Sequence, residues 1–233
     1  METTYIEIDS PDKHLSDVLE EIPSNVILYK TLTGIGATYS EIKAQRHSII
    51  IEPNVPVIIG KCNSDKHKND NLLGVYEGVT TDRIIKYLGA SRGKYYKILT
   101  TPESFTKVKD AFLIFNGKIY NTCFLLIDEA HKTIKDVDYR SDIVLPMNDF
   151  FKFKGKALVS ATPLKFSDPR FEENGFSIIK IEPTYDYAKE IDIKPSTNIL
   201  REVWEEFGWM PFITGQGKDN PYFIFINSVD IIY

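Results

Sequence analysis

The chain has 233 residues, 42% of them hydrophobic and 26% charged, which is enough apolar material for a sizeable core. Its formal charge of −5 gives no global basic field, so any nucleic-acid contact must come from local groups. No apolar run reaches membrane-spanning length, and the polar start "METTYIEIDSPDKH" lacks a signal-peptide core. With Cys62 and Cys123 far apart and outside any ligand spacing, the chain reads as cytoplasmic, with reduced thiols.

In chain order, short apolar runs at 26–30, 47–52, 56–62, 95–101, 123–129, 156–162 and 176–182 predict strands. Each is nearly continuous in apolar residues, as strands buried on both faces require. Helical spacing falls at 12–21, 80–88, 102–115 and 141–151. The alternation predicts an α/β domain, a mainly parallel β-sheet flanked by helices. The polar stretch 63–71 reads as a surface loop, where His67 has no ligand partner at useful spacing. Past residue 183 the texture changes. Residues 184–198 read as a linker, and 199–233, with "ILREVWEEFGW" and "PYFIFINSV", as the start of a second α/β unit.

Three places carry the chemistry. In "TLTGIGATYS" (31–40), Gly34 and Gly36 permit a tight turn whose backbone N–H groups face an anion, and Thr38 offers a hydroxyl for Mg²⁺. Ala37 stands where such loops carry lysine. The run "FLLIDEAHKT" (124–133) is a buried strand ending on Asp128 and Glu129, at the end where α/β proteins place ligands. Asp128 suits a metal and Glu129 suits orienting a water and taking its proton. In "ALVSATP" (157–163) another strand closes on Ser160 and Thr162, which turn chemistry before Pro163 would explain equally well.

Taken together, glycine loop, Asp-Glu-Ala-His and Ser-Ala-Thr in this order resemble the first motor domain of superfamily two helicases, in the manner of the DEAD/DEAH-box and type III restriction-enzyme-like branches. The stretches 49–58 and 98–105 are similar to two softer motifs of that family, and the likeness runs over roughly residues 24–182. It implies a RecA-like P-loop domain over 1–183 with ATP and Mg²⁺ as cofactors. Thr33, Gly34, Gly36, Ala37 and Thr38 would line the nucleotide, and Thr38 and Asp128 would hold the metal. Glu129 would activate water, while His131, Ser160 and Thr162 would couple nucleotide state to domain closure. Asn54 and Thr101 would touch the backbone of single-stranded or duplex nucleic acid, DNA ahead of RNA. A monomer is the default.

Ala37 departs from the family pattern. Losing one charge-assisted hydrogen bond costs roughly 1.5–3 kcal/mol, so weakened binding and turnover are expected. Lys30 and Lys43 flank the loop, but neither stands at the missing position and neither is expected to replace it. The arginines that the family supplies from its second motor domain would follow Tyr233, so the chain as given is expected to be a poor ATPase. The alternative is a catalytically inactive helicase-like module that binds nucleic acid or a partner. A small-molecule P-loop kinase is disfavoured, because the few arginines are scattered.

Overall fold

The computed structural model describes residues 1–32, 34–135, 145–162 and 168–186. The chain divides into two compact units, Met1–Tyr187 and Ala188–Tyr233. All described residues belong to the first; Thr33, the expected linker beyond residue 186 and the expected second unit lie outside them.

Eight strands form one sheet: β1 (Thr3–Ile8), β2 (Val26–Tyr29), β3 (Ser48–Ile51), β4 (Leu72–Val75), β5 (Lys97–Thr100), β6 (Phe124–Ile127), β7 (Gly155–Ser160) and β8 (Ser177–Pro183). Their order is β1-β8-β2-β7-β6-β3-β5-β4. Every pairing among the described residues is parallel. β2, β3, β5 and β6 are buried at every position, which is why their sequences show no polar alternation. Successive side chains point to opposite faces. Ile49, Ile51, Leu125 and Ile127 accordingly enter one core cluster, with the helices Thr81–Ala90 and Phe105–Phe115. Ile50 and Leu126 enter the other, with Ala37 and Ile42 of the helix Ala37–Lys43 and with Ile58.

The run 56–62, expected as a strand, is instead part of a helix, Val55–Asn63. Pro56 sits in its first turn, where a missing N–H costs nothing, and short apolar runs do not distinguish strand from helix by periodicity. Two strands have no counterpart in the sequence reading. β1 is an edge strand with a mixed burial pattern, and β4 is four residues long with a glycine inside. Gly74 explains that glycine: a Cβ there would stand 2.9 Å from Ile58 Cγ2, so its absence lets the Val55–Asn63 helix sit down on the sheet.

From β2 the chain crosses to β3 and the far half of the sheet. It returns through β6 and β7, which lie between β2 and β3, and finishes at β8 on the other side of β2. That reversal opens a crevice at the C-terminal strand ends, the usual place for ligands in such sheets.

Candidate functional site

Each central strand ends by handing a polar residue to the crevice. Backbone bonds keep these residues in register just beyond the strands: Lys30 N–H donates to Ser160 O (2.9 Å), Asp128 N–H to Ile51 O (3.0 Å) and Glu52 N–H to Thr100 O (2.9 Å). After Lys30 the chain reverses at once. Thr31 takes a left-handed conformation, φ 46°, and Leu32 N–H donates back to the Lys30 carbonyl. Gly34 (φ 82°) and Gly36 (φ 87°) complete the turn in conformations that disfavour side chains, and Ala37 begins the helix.

The turn brings Thr38 onto the tip of β6, where its hydroxyl donates to Asp128 Oδ2. Asp128 Oδ1 accepts from the Glu129 N–H (2.8 Å) and from Lys30 Nζ (3.1 Å). The same ammonium donates to Glu129 Oε1 at 2.5 Å. Burial pulls the Lys30 pKa down, but the charges of Asp128 and Glu129 and their hydrogen bonds outweigh it, leaving the ammonium above its ordinary value. Glu129 itself is held at φ 50°. Of the four non-glycine residues with positive φ among the described residues, two are asparagines; Thr31 and Glu129, which tolerate that region poorly, both belong to this site.

On its other side Glu129 Oε2 lies 3.5 Å from His131 Nδ1, which is 3.2 Å from Ser160 Oγ. Ser160 donates to the Thr162 carbonyl (2.7 Å) and accepts from the Thr162 N–H (3.1 Å). Since the serine proton is committed to that carbonyl, the contact with His131 requires a hydrogen on Nδ1. A continuous polar chain thus runs from the β2 tip through Glu129 to the β7 tip.

These groups wall a cavity of about 440 Å³ lined by Lys30, Gly34, Gly36, Ala37, Thr38, Glu52, Asn54, Asp128 and Glu129, with Lys61 and Lys132 also contributing. Ala37 is buried (3% exposed) and brings no charge. Lys43, the other lysine near the loop, faces away and pairs with Asp70 at 2.7 Å. Asn54 lines the cavity, its N–H and amide donating to Glu52 Oε1 at 3.2 and 3.3 Å. Thr101 is buried, its hydroxyl accepting the Ser104 N–H (3.3 Å), a turn contact. Thr33 lies outside the described residues.

Two site residues were missed in the sequence, Lys30 and Glu52. Burial, then the nearby Asp128 charge, raises the Glu52 pKa above its ordinary value. The signal that singled out Asp128 applies to both: "VILYK" and "HSIIIE" are buried strands closing on a charge, at the ligand end of a parallel sheet.

With the strand order, the glycine turn after β2 and the acidic pair after β6 established, the architecture can be named. It is RecA-like. No protein family and no curated protein matches the chain. Several solved structures do. A hypothetical ATP-dependent RNA helicase from Sulfolobus tokodaii is 16% identical with a TM-score of 0.47, covering 67% of this chain and 48% of its own. The Hef helicase domain of Pyrococcus furiosus is 14% identical with a TM-score of 0.49, covering 74% and 38%. A DEAD box protein from Methanococcus jannaschii is 20% identical with a TM-score of 0.43, covering 67% and 45%. The chain therefore spans about half or less of the length of each. The likeness is one of fold, to helicase domains, and the RecA-like assignment stands on the strand order and loop rather than on these matches.

Proposed function

We propose that this domain binds ATP with Mg²⁺ and is the first motor domain of an ATP-dependent nucleic-acid translocase or helicase, acting on DNA ahead of RNA. The domain limits 1–183, the linker 184–198 and a second motor domain from 199 belong to the same proposal. One observation carries it. The Thr38 hydroxyl and the Asp128–Glu129 pair meet in a single cavity walled by the glycine turn, and the His131–Ser160 contact joins Glu129 to the β7 tip.

The residues fit the magnesium triphosphate. Gly34 lines the cavity and has nothing within 4 Å of where its Cβ would stand, room for an anion to approach the backbone. Thr38 and Asp128 form a hard-oxygen pair that would hold Mg²⁺, which when bound neutralises phosphate charge. Glu129, bonded to Lys30 on one oxygen and facing His131 on the other, would align a water and accept its proton. His131, Ser160 and Thr162 link that carboxylate to the β7 tip, so a change at Glu129 is felt on a second strand. Asn54 and Thr101, which follow β3 and β5, remain the proposed nucleic-acid contacts, although Asn54 lines the nucleotide cavity and Thr101 is buried in a turn contact.

Titration calorimetry of the 233-residue chain with Mg·ADP and Mg·ATP tests the reading. Heat and a thermal shift are expected, and their absence at millimolar nucleotide overturns it. Glu129→Gln should keep binding while lowering turnover by roughly 100-fold or more. Ala37 favours a second reading, a catalytically inactive helicase-like module that binds nucleic acid or a partner; no wild-type turnover in a chain that includes the second motor domain would select it.

A further inference from the structure

We infer that Lys30 is the phosphate-binding cation of this cavity, supplied from the tip of β2 in place of the loop lysine that Ala37 replaces. The inference rests on the nucleotide reading above and assigns a residue within it.

Position comes first. Lys30 immediately precedes the glycine turn, and its backbone is fixed on both sides, by its N–H on the Ser160 carbonyl and by the reversal at Thr31. Its stem is buried (side chain 8% exposed), yet the residue lines the cavity together with Gly34, Gly36 and Thr38. Its ammonium and the Thr38 hydroxyl sit on the two oxygens of one carboxylate, Asp128. A group that reaches the proposed metal-holding pair therefore meets Lys30 within the width of that carboxylate.

Charge points the same way. Asp128, Glu129 and Glu52 bring three carboxyl groups to the cavity wall, a setting hostile to a polyphosphate unless a cation stands among them; Lys61 and Lys132 also line the wall, but it is the Lys30 ammonium that bonds Asp128 and Glu129. Lysine suits the task because its three donors rotate about a point charge. Among the described residues, two of those donors engage Asp128 and Glu129, which leaves one for a phosphate oxygen. Lys43 is excluded by its pairing with Asp70. Arrangement on the strand side also accounts for Ala37. A lysine at the first position of the Ala37–Lys43 helix would add a further ammonium beside Thr38, where Lys30 already sits on the same carboxylate.

The test is calorimetry on the full chain with Mg·AMP, Mg·ADP and a non-hydrolysable Mg·ATP analogue. Lys30→Met is expected to weaken the diphosphate and triphosphate by about tenfold or more, with AMP changed much less. The double variant Lys30→Met/Ala37→Lys, which returns the charge to the loop, is expected to recover most of the loss. A purely structural role for Lys30 would lower thermal stability and leave the dependence on phosphate number unchanged, and this result overturns the inference; so does failure of Ala37→Lys to restore binding. If Lys30→Met does not fold, Lys30→Met/Glu129→Gln is compared with Glu129→Gln, where less uncompensated charge is left behind. A wild-type chain that binds no nucleotide overturns the nucleotide reading and this inference together. Wild-type binding that Lys30→Met leaves intact overturns this inference alone.

Discussion

Two of the three buried lysines among the described residues stand at opposite ends of the same sheet. Lys30 follows β2 at the C-terminal tips, and Lys97 opens β5 at the N-terminal strand ends, paired in register with Ser48. Lys97 Nζ donates to the carbonyls of Glu41 and Ala44, both at 2.7 Å, and to the Ser48 hydroxyl at 3.0 Å. Its direct acceptors are neutral, and burial draws its pKa down to about 8, against the opposing pull of the Glu41 charge. Burial acts on Lys30 in the same direction, but two carboxylates reverse the outcome. Depth alone does not set the state of a buried amine; the charge of what it touches does. One lysine is a bracket that ties helix to sheet, and the other is a charge held ready beside a cavity.

That contrast can be broken by mutation. Lys30→Met leaves Asp128 and Glu129 apposed without a cation, and cutting one partner from a buried ion pair costs about 3–5 kcal/mol. Urea denaturation should show a loss of this size, partly recovered when Glu129→Gln is added. Lys97→Met strands neutral acceptors instead, for which about 1–3 kcal/mol is expected, with amide exchange in Ala37–Lys43 rising and nucleotide affinity falling less than in Lys30→Met. The smallest effect is in pH. The Lys97 pKa falls from 10.5 unfolded to about 8 folded, so between these values the unfolded chain binds more protons and stability rises with pH. Lys97→Met should remove that rise. Lys30, whose pKa is raised, contributes stability that is fully present below 10.5 and lost at higher pH, so Lys30→Met should preserve the rise at pH 8–10. Equal slopes in the two variants would dissolve the distinction.

Most of the central sheet was legible because burial on both faces leaves a continuous apolar signature, as in "SIII" and "FLLI". Edge strand β1 and the four-residue β4 were not, since the first alternates without strong bias and the second depends on a glycine whose reason lies in Ile58, distant in sequence. The run at 56–62 misled because a proline in a helical first turn and a proline before a strand look alike. At the site, the residues chosen for their order along the chain, Gly34, Gly36, Thr38, Asp128, Glu129, His131, Ser160 and Thr162, are brought together. Lys30 is not legible in the same way, because it lies outside the loop position where the pattern carries its lysine. Its partners are 98 and 99 residues away and only the folded sheet supplies them.

The helix Ala37–Lys43 is gripped at its far end as firmly as at its near one. Glu41 is fully buried and clasped by Arg46 (2.6 Å) and by the Ser48 hydroxyl (2.6 Å), and the Arg46 guanidinium lies 3.5 Å over the Phe124 ring. At seven residues the helix is a strut about 10 Å long, footed on the beginnings of β3, β5 and β6. The strut thus links the glycine turn at the C-terminal strand ends to the N-terminal ends of these three strands. A displacement of the turn would be read at the strut's footing as well as at the loop.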